Sequence, residues 1–210
     1  IAGVKIVKPG ERKQVMKIYL VRHGETDWNL EERMQGQADN ELNDTGRQQA
    51  QTVAGKLRGI TFDAAFSSSL RRAIATAEII LGQQKDILQK DPEVMEIGFG
   101  PWEGEKIARV MEKVHPLHNF FARPDRYFPP EGAESFYRLY ERSEDFLNRE
   151  IFPLENKCKN ILIVGHGAWN RSIVNPLKNI ELARFWSEPL ENCSVEILEL
   201  AENRLSIAKI

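Results

Sequence analysis

Cysteine and histidine are scarce in this 210-residue chain, two and four respectively, and each scarcity narrows what it can be. Two cysteines make no disulfide framework. Cys158 and Cys193 flank apolar runs and read as buried thiols, a usage that fits the reducing cytoplasm. No apolar run approaches the ~18 residues that span a bilayer, so no membrane partner is expected. Residues 1–15 hold Pro9, Gly10 and several charges where a signal peptide needs an apolar stretch. A charge excess is missing too: 29 Lys and Arg against 31 Asp and Glu leave a formal net charge of -2. That balance gives no electrostatic reason to expect nucleic acid as a partner. No repeat, low-complexity tract or linker divides the chain, which excludes solenoids and arrays. A starting methionine is lacking as well. Met16 stands immediately before the first apolar run, so residues 1–15 read as an N-terminal extension with no role assigned.

What is present is ordinary globular composition, 41% hydrophobic and 29% charged, in one domain's length of chain. Two apolar runs end alike. Lys17 to Val21 breaks into Arg22-His23-Gly24-Glu25-Thr26, and Asn160 to Val164 breaks into Gly165-His166-Gly167. Short runs rich in Ile and Val, each followed by a helical pattern, read as buried parallel strands. Ligands of open α/β sheets bind outside the carboxyl ends of the strands. The two histidines are therefore expected side by side in one crevice. The fold expected is α/β, a mainly parallel central sheet with helices on both faces, as a single domain over residues 16–210.

Between these strands, Asn43-Asp44-Thr45 offers capping oxygens to a helix whose apolar stripe is Ala50, Val53, Ala54 and Leu57, closed by Gly59. A short strand is expected over 61–66. Ser67 to Ser69 can cap a second helix, with Leu70, Ala73, Ile74, Ala77 and Leu81 inward. From Gln83 to Pro130 the pattern weakens into Gly- and Pro-punctuated loops, with a helix expected over about 103–114. An irregular segment rich in aromatics inside an α/β domain suggests a lid-like insertion, about 97–133. Its Phe120, Phe121, Tyr127 and Phe128 either line a pocket or form the insertion's own core. A long helix over 134–150 directs Phe136, Leu139, Tyr140, Phe146 and Leu147 inward, and a helix near 169–177 follows the second strand. A hairpin turning at Glu202-Asn203 closes the chain, and an edge strand of such a sheet can pair two copies into a homodimer.

Arg22 precedes His23, and Arg72 falls in the first turn after a strand. Two arginine forks about one point match a tetrahedral dianion. A neutral imidazole is a competent nucleophile toward phosphorus near pH 7. Leu20-Val21-Arg22-His23-Gly24-Glu25-Thr26 resembles the signature of the histidine phosphatase superfamily, the phosphoglycerate-mutase-like fold. Trp28-Asn29, Gln35-Gly36, Asp39 with Leu42, Ser68-x-Leu70-x-Arg72-Ala73 with Thr76-Ala77, Glu96-x-x-Phe99-Gly100, Trp102-Glu103-Gly104 and Gly165-His166-Gly167 follow in family order, from Met16 to the end of the chain. The resemblance implies roles by position. His23 is the expected phosphohistidine nucleophile. Arg22, Arg72 and His166 form the expected phosphate pocket, with Gly24, Asn29, Gln35, Gly36 and the backbone of Gly167 around it. Glu96 stands at the general acid/base position. Neither a metal nor any other cofactor is implied, and the partner implied is a small phosphorylated metabolite.

Each of these residues has a plainer neighbour. Arg71 reads as exposed, Glu93, Glu103 and Glu105 crowd Glu96, and Glu25 either influences His23 or is structural. His115 and His118 share an i, i+3 spacing, but no carboxylate or cysteine frames a metal site there, so they read as a surface pair. The implied activity is a phosphomonoesterase. A cofactor-dependent phosphoglycerate mutase is the first alternative, yet its Glu-Arg-His-Tyr-Gly string is replaced here by Glu96-Ile97-Gly98-Phe99-Gly100. Arg123 and Arg126 are only a loose substitute for a mutase's second cationic clasp. Few cations beyond the phosphate site favour water as acceptor, and Pro130-Glu131-Gly132-Ala133-Glu134-Ser135 resembles a segment of the phosphatases. A non-catalytic phosphate-binding module is the third reading. It would have lost one of His23, Arg72, Glu96 or His166, and none is lost.

Overall fold

The computed structural model describes residues 15–208. The expected N-terminal extension therefore lies outside the described residues except for Val15, as do the last two residues of the chain. The strands are β1 Met16–Arg22, β2 Ala64–Ser68, β3 Leu88–Asp91, β4 Asn160–Gly165, β5 Val195–Ala201 and β6 Arg204–Ile207. They form one sheet in the order β3-β2-β4-β1-β5-β6. The first four are mutually parallel, and β5 and β6 run antiparallel at one edge.

The helices are α1 Asp27–Leu30, α2 Asp44–Lys56, α3 Arg71–Leu81, α4 Ile107–Val110, α5 His118–Ala122, α6 Phe136–Phe146 and α7 Gly167–Leu177. The period-two alternation of the strands splits the core in two. Tyr19, Val21, Leu162 and Val164 face Ala50 and Val53 of α2 and Ala73, Ala77 and Ile80 of α3. Ile18, Leu20, Ile161 and Ile163 face the other way, against Phe146 of α6 and Trp169 and Ile173 of α7. Helices thus cover both faces, as expected of a doubly buried parallel sheet.

Several expected boundaries move, for local reasons. The strand expected at 61–66 begins at Ala64, because the Asp63 carboxylate accepts N–H bonds from Lys159 (2.6 Å) and Asn160 (3.0 Å) and so tethers the start of β4. Asn43 caps α2 through Gly46 N–H at 2.8 Å. The serines cap less directly: Leu70 is the N-cap of α3 and makes no side-chain cap bond, while Ser68 Oγ accepts from Leu70 N–H at 3.2 Å. The helix expected over 103–114 shrinks to the single turn α4. Backbone groups there pair across the chain instead, Gly104 N–H with Met34 O (2.9 Å) and Ile107 N–H with Glu32 O (2.8 Å). The long helix runs as α6 and then widens into a π turn over Leu147–Ile151.

Candidate active site

The register of β1 on β4 pairs Arg22 with Gly165, so the residues that follow, His23 and His166, leave the sheet at the same level. His23 N–H donates to Gly165 O at 3.0 Å, and the two ring centroids are 5.0 Å apart. Both rings are buried. His23 Nδ1 lies 2.7 Å from the carbonyl of Gly24, which can only accept, so Nδ1 carries the proton. Nε2 then holds a lone pair, and Arg72 Nε points its N–H at that nitrogen from 3.3 Å. Burial and the charges of Arg72 and Arg22 push the His23 ring well below the ordinary histidine range, so it stays neutral. His166 is pushed down by burial and by the charges of Arg72, Arg142 and Arg22. Neither of its ring nitrogens has a hydrogen-bond partner.

Arg72 enters from the first turn of α3, where the helix dipole disfavours a cation. Its other donors meet the carbonyls of Ala38 (2.7 Å) and Gly36 (2.6 Å), and burial lowers it to about 10. Arg22 donates to Leu190 O at 2.6 Å, while its buried Nε is unpartnered. Gly24 is held by Thr76 of α3, whose Oγ1 accepts its N–H at 3.0 Å. Asn29 sits in a capping box with Thr26. Its Oδ1 accepts from Thr26 N–H (3.2 Å) and from Asn192 Nδ2 (3.4 Å). Thr26 Oγ1 meets Gln35 Oε1, leaving Gln35 Nε2 buried and unpartnered. Glu96 lies against the N-terminus of α7, its carboxyl accepting from Ala168 N–H (2.9 Å), Trp169 N–H (3.0 Å) and Ile97 N–H (3.0 Å). Arg22, Asn29, Gln35, Glu96 and Gly167 all border one cavity of about 250 Å³. Two neutral imidazoles, two guanidinia and a carboxyl thus gather at the strand ends, an arrangement whose charge and donors match a phosphoryl group.

A model of the histidine phosphatase superfamily (branch 1) matches residues 18–210. The chain belongs to that superfamily. Phosphoserine phosphatase 1 of Hydrogenobacter thermophilus is 30% identical over 197 residues, 93% of this chain and 92% of that protein. A 2,3-bisphosphoglycerate-dependent phosphoglycerate mutase of Cytophaga hutchinsonii is 33% identical over 165 residues, 78% of each. Among solved structures, YhfR of Bacillus stearothermophilus superposes with a TM-score of 0.81 at 30% identity, covering 92% of this chain and 95% of that one.

Within this histidine phosphatase frame the plainer neighbours separate from the site. Arg71 is exposed and paired with Asp39 and Glu41. Glu25 binds Asn43 Nδ2 at 3.0 Å and so ties its loop to α2. Glu103 gathers the N–H groups of Gly36, Gln37 and Phe99 at 2.8 to 3.1 Å, bracing the turn whose carbonyls hold Arg72. Glu93 lies near Arg138. His115 is not a surface group: its ring is 7% exposed and pairs with Glu105, while Nδ1 accepts from Leu117 N–H. Among the described residues no group of three or more His, Cys, Asp or Glu is placed to hold a metal ion. The aromatics divide. Phe120 and Phe121 border the cavity, Tyr127 packs on Phe120 and Phe136, and Phe128 is exposed.

Two neighbours of the site were not expected. Arg171, on the first turns of α7, borders the cavity together with Arg33, so cations beyond Arg22 and Arg72 are not confined to the poor candidates Arg123 and Arg126. Arg123 is exposed and bonded to Asp125. Asn192 donates to His23 O at 3.0 Å and steadies Asn29. Arg171 was legible in one respect, since it lies one helical turn beyond Gly167 on a helix expected to start at the crevice. Asn192 sits in a loop and carries no periodic signal.

Proposed function

We propose that the protein is a phosphomonoesterase that moves the phosphoryl group of a small phosphorylated metabolite first to His23 and then to water. One observation carries the reading: His23 is held neutral with its proton on Nδ1, so the lone pair of Nε2 is available, met only by the long 3.3 Å N–H of Arg72, and Arg22, Arg72 and the unpartnered ring of His166 stand about it. In the first step the Nε2 pair attacks phosphorus and the ester P–O bond breaks. The leaving oxygen takes a proton from the Glu96 carboxyl. In the second step Glu96, now a carboxylate, removes a proton from water as its oxygen attacks phosphorus. The N–P bond breaks, its electron pair returns to Nε2, and inorganic phosphate departs. Arg22, Arg72, Asn29, Gln35 and the N–H of Gly167 balance the charge on the non-bridging oxygens, where fixed donors contribute most.

The hydrolase class is supported by superfamily membership. Arginines supply the charge that metals provide in other phosphatases, so a chelator is expected to leave the rate unchanged. The test uses p-nitrophenyl phosphate in chelator, then 3-phosphoglycerate with 2,3-bisphosphoglycerate. Hydrolysis of the first is expected, with acid-labile, alkali-stable label on the protein from a radiolabelled ester. His23→Ala should lose both label and at least ~10³-fold in rate. Isomerisation of 3-phosphoglycerate instead of hydrolysis would make the protein a mutase. Neither reaction would make it a binding module, and label on another side chain would overturn the assignment of His23.

A further inference from the structure

We propose that Arg171, lying against Trp186, docks a carboxylate carried by the leaving group, so that the substrate is a small phosphomonoester with a carboxylate close to its ester oxygen. This rests on the phosphomonoesterase reading above and narrows its substrate class.

Arg171 differs from the other arginines near the site. Arg72 is occupied by two carbonyls and by His23, Arg22 belongs to the phosphate socket, and Arg33 is neutralised by Glu31 at 2.6 Å. Arg171 has no ion-pair partner among the described residues. Two of its five N–H donors meet the carbonyls of Gly167 (3.2 Å) and Glu188 (2.8 Å). Its guanidinium carbon stands 5.1 Å from the centre of the Trp186 ring, a cation–π contact that holds the charge against the cavity wall. Burial and the charge of Arg22 lower it to about 10, so it remains charged at neutral pH. A half-buried cation with donors to spare, on the wall of a cavity, calls for an anion.

Position and charge say which anion. Arg171 Nη1, Arg22 Nε and Glu96 Oε2 crowd the α-carbon of Gly167: a β-carbon there would meet them at 3.9, 3.8 and 3.3 Å. The spare cation is therefore next to the phosphate socket, within reach of a group a few bonds from the ester. Arg22 and Arg72 balance the phosphoryl dianion, which leaves Arg171 as the cation of the wall available to a second charged group. One guanidinium matches one carboxylate, fork to fork. A second phosphoryl dianion would need a second cation, and Arg33 is committed. The rest of the wall is largely apolar, with Met34, Phe99, Ile107, Phe120, Phe121 and Trp186, and offers few partners to the many hydroxyls of a sugar.

The test compares 3-phosphoglycerate with glycerol 3-phosphate, which share the ester and the three-carbon chain and differ by carboxylate against hydroxymethyl. The wild type should hydrolyse the carboxylate member with kcat/KM roughly 10- to 100-fold higher. Arg171→Met should bring that ratio close to one, and Arg171→Lys should keep part of it. Equal rates in the wild type, or a variant that loses both esters in the same proportion, would overturn the inference and leave Arg171 a strut for the Glu188 loop. Binding supplies an arm free of turnover. On His23→Ala, calorimetry should show 3-phosphoglycerate tighter than glycerol 3-phosphate by a similar factor, and equal affinities would overturn the subsite. Failure of p-nitrophenyl phosphate and both esters to turn over would instead sink the phosphomonoesterase reading, whatever the binding ratio.

Discussion

A histidine that is to attack phosphorus, the role proposed for His23, must keep its lone pair, and burial among arginines pushes both His23 and His166 toward the unprotonated form. Two consequences follow with a definite sign. The unfolded chain takes up protons on these rings near pH 6.5, whereas the folded protein does so only at lower pH. The stability they contribute is therefore fully present above about pH 6.5 and is lost as pH falls from there toward the depressed folded values. Urea midpoints measured at pH 7.5 and 5.5 should fall on acidification, and His166→Asn should fall less than the wild type. The acidic limb of kcat/KM that reports protonation of the nucleophile should likewise lie below pH 6.5. A limb centred on an ordinary histidine value would show that His23 is not held neutral by its surroundings.

At the scale of elements, the loop after β1 and the start of α2 touch backbone to backbone. Gly46 lies in the first turn of α2, where Ala would ordinarily be the better helix former by about 1 kcal/mol. Here a β-carbon on Gly46 would stand 2.1 Å from Glu25 O and 2.7 Å from Glu25 N. One on Gly24 would meet Gly46 O at 2.5 Å. Overpacking of backbone typically costs about 1–3 kcal/mol, which outweighs the propensity gain. Gly46→Ala should lower stability by that amount in a urea melt, and it should weaken inorganic phosphate binding, because the displaced loop carries His23 and Asn29. The same contrast explains what could be read from residues. β1, β4, α2, α3 and the cleft between His23 and His166 were legible because period-two and helical stripes face a core on both sides. β3 was missed: Leu88–Asp91 is an edge strand with one buried residue, so no apolar run marks it. The helix expected at 103–114 failed because its backbone pairs with 32–34, a long-range choice that local pattern does not encode. Glu96 was put forward by resemblance and the structure sets it at the N-terminus of α7, while Arg171 was passed over because a second cation was sought in the insertion rather than on α7.

At the scale of the whole molecule, the segment that carries Glu96 is held by α6, some forty residues further along the chain and packed in the same core. Arg142 of α6 is buried and grips both oxygens of Glu134, at 2.7 and 3.1 Å, while its Nη1 donates to Glu93 O and Met95 O at 2.6 Å. Glu134 in turn accepts from Gly98 N–H at 3.0 Å, and its own N–H donates to Gly98 O at 2.8 Å. Glu96 is thus clamped on both sides by one buried ion pair that touches no part of the cavity. Arg142→Met would strand the Glu134 carboxylate, a loss typically costing about 3–5 kcal/mol, and Glu134→Gln should cost less because Arg142 keeps its carbonyl partners. A role in positioning has a kinetic signature that instability lacks. p-Nitrophenolate leaves with little need of a proton, whereas an alkoxide requires one, so a misplaced Glu96 should slow alkyl phosphates by up to ~10²-fold more than p-nitrophenyl phosphate. Assayed well below its melting temperature, Arg142→Met should show that selective loss. An equal loss on both esters would reduce the Arg142–Glu134 pair to a stabilising contact between α6 and the loop it holds.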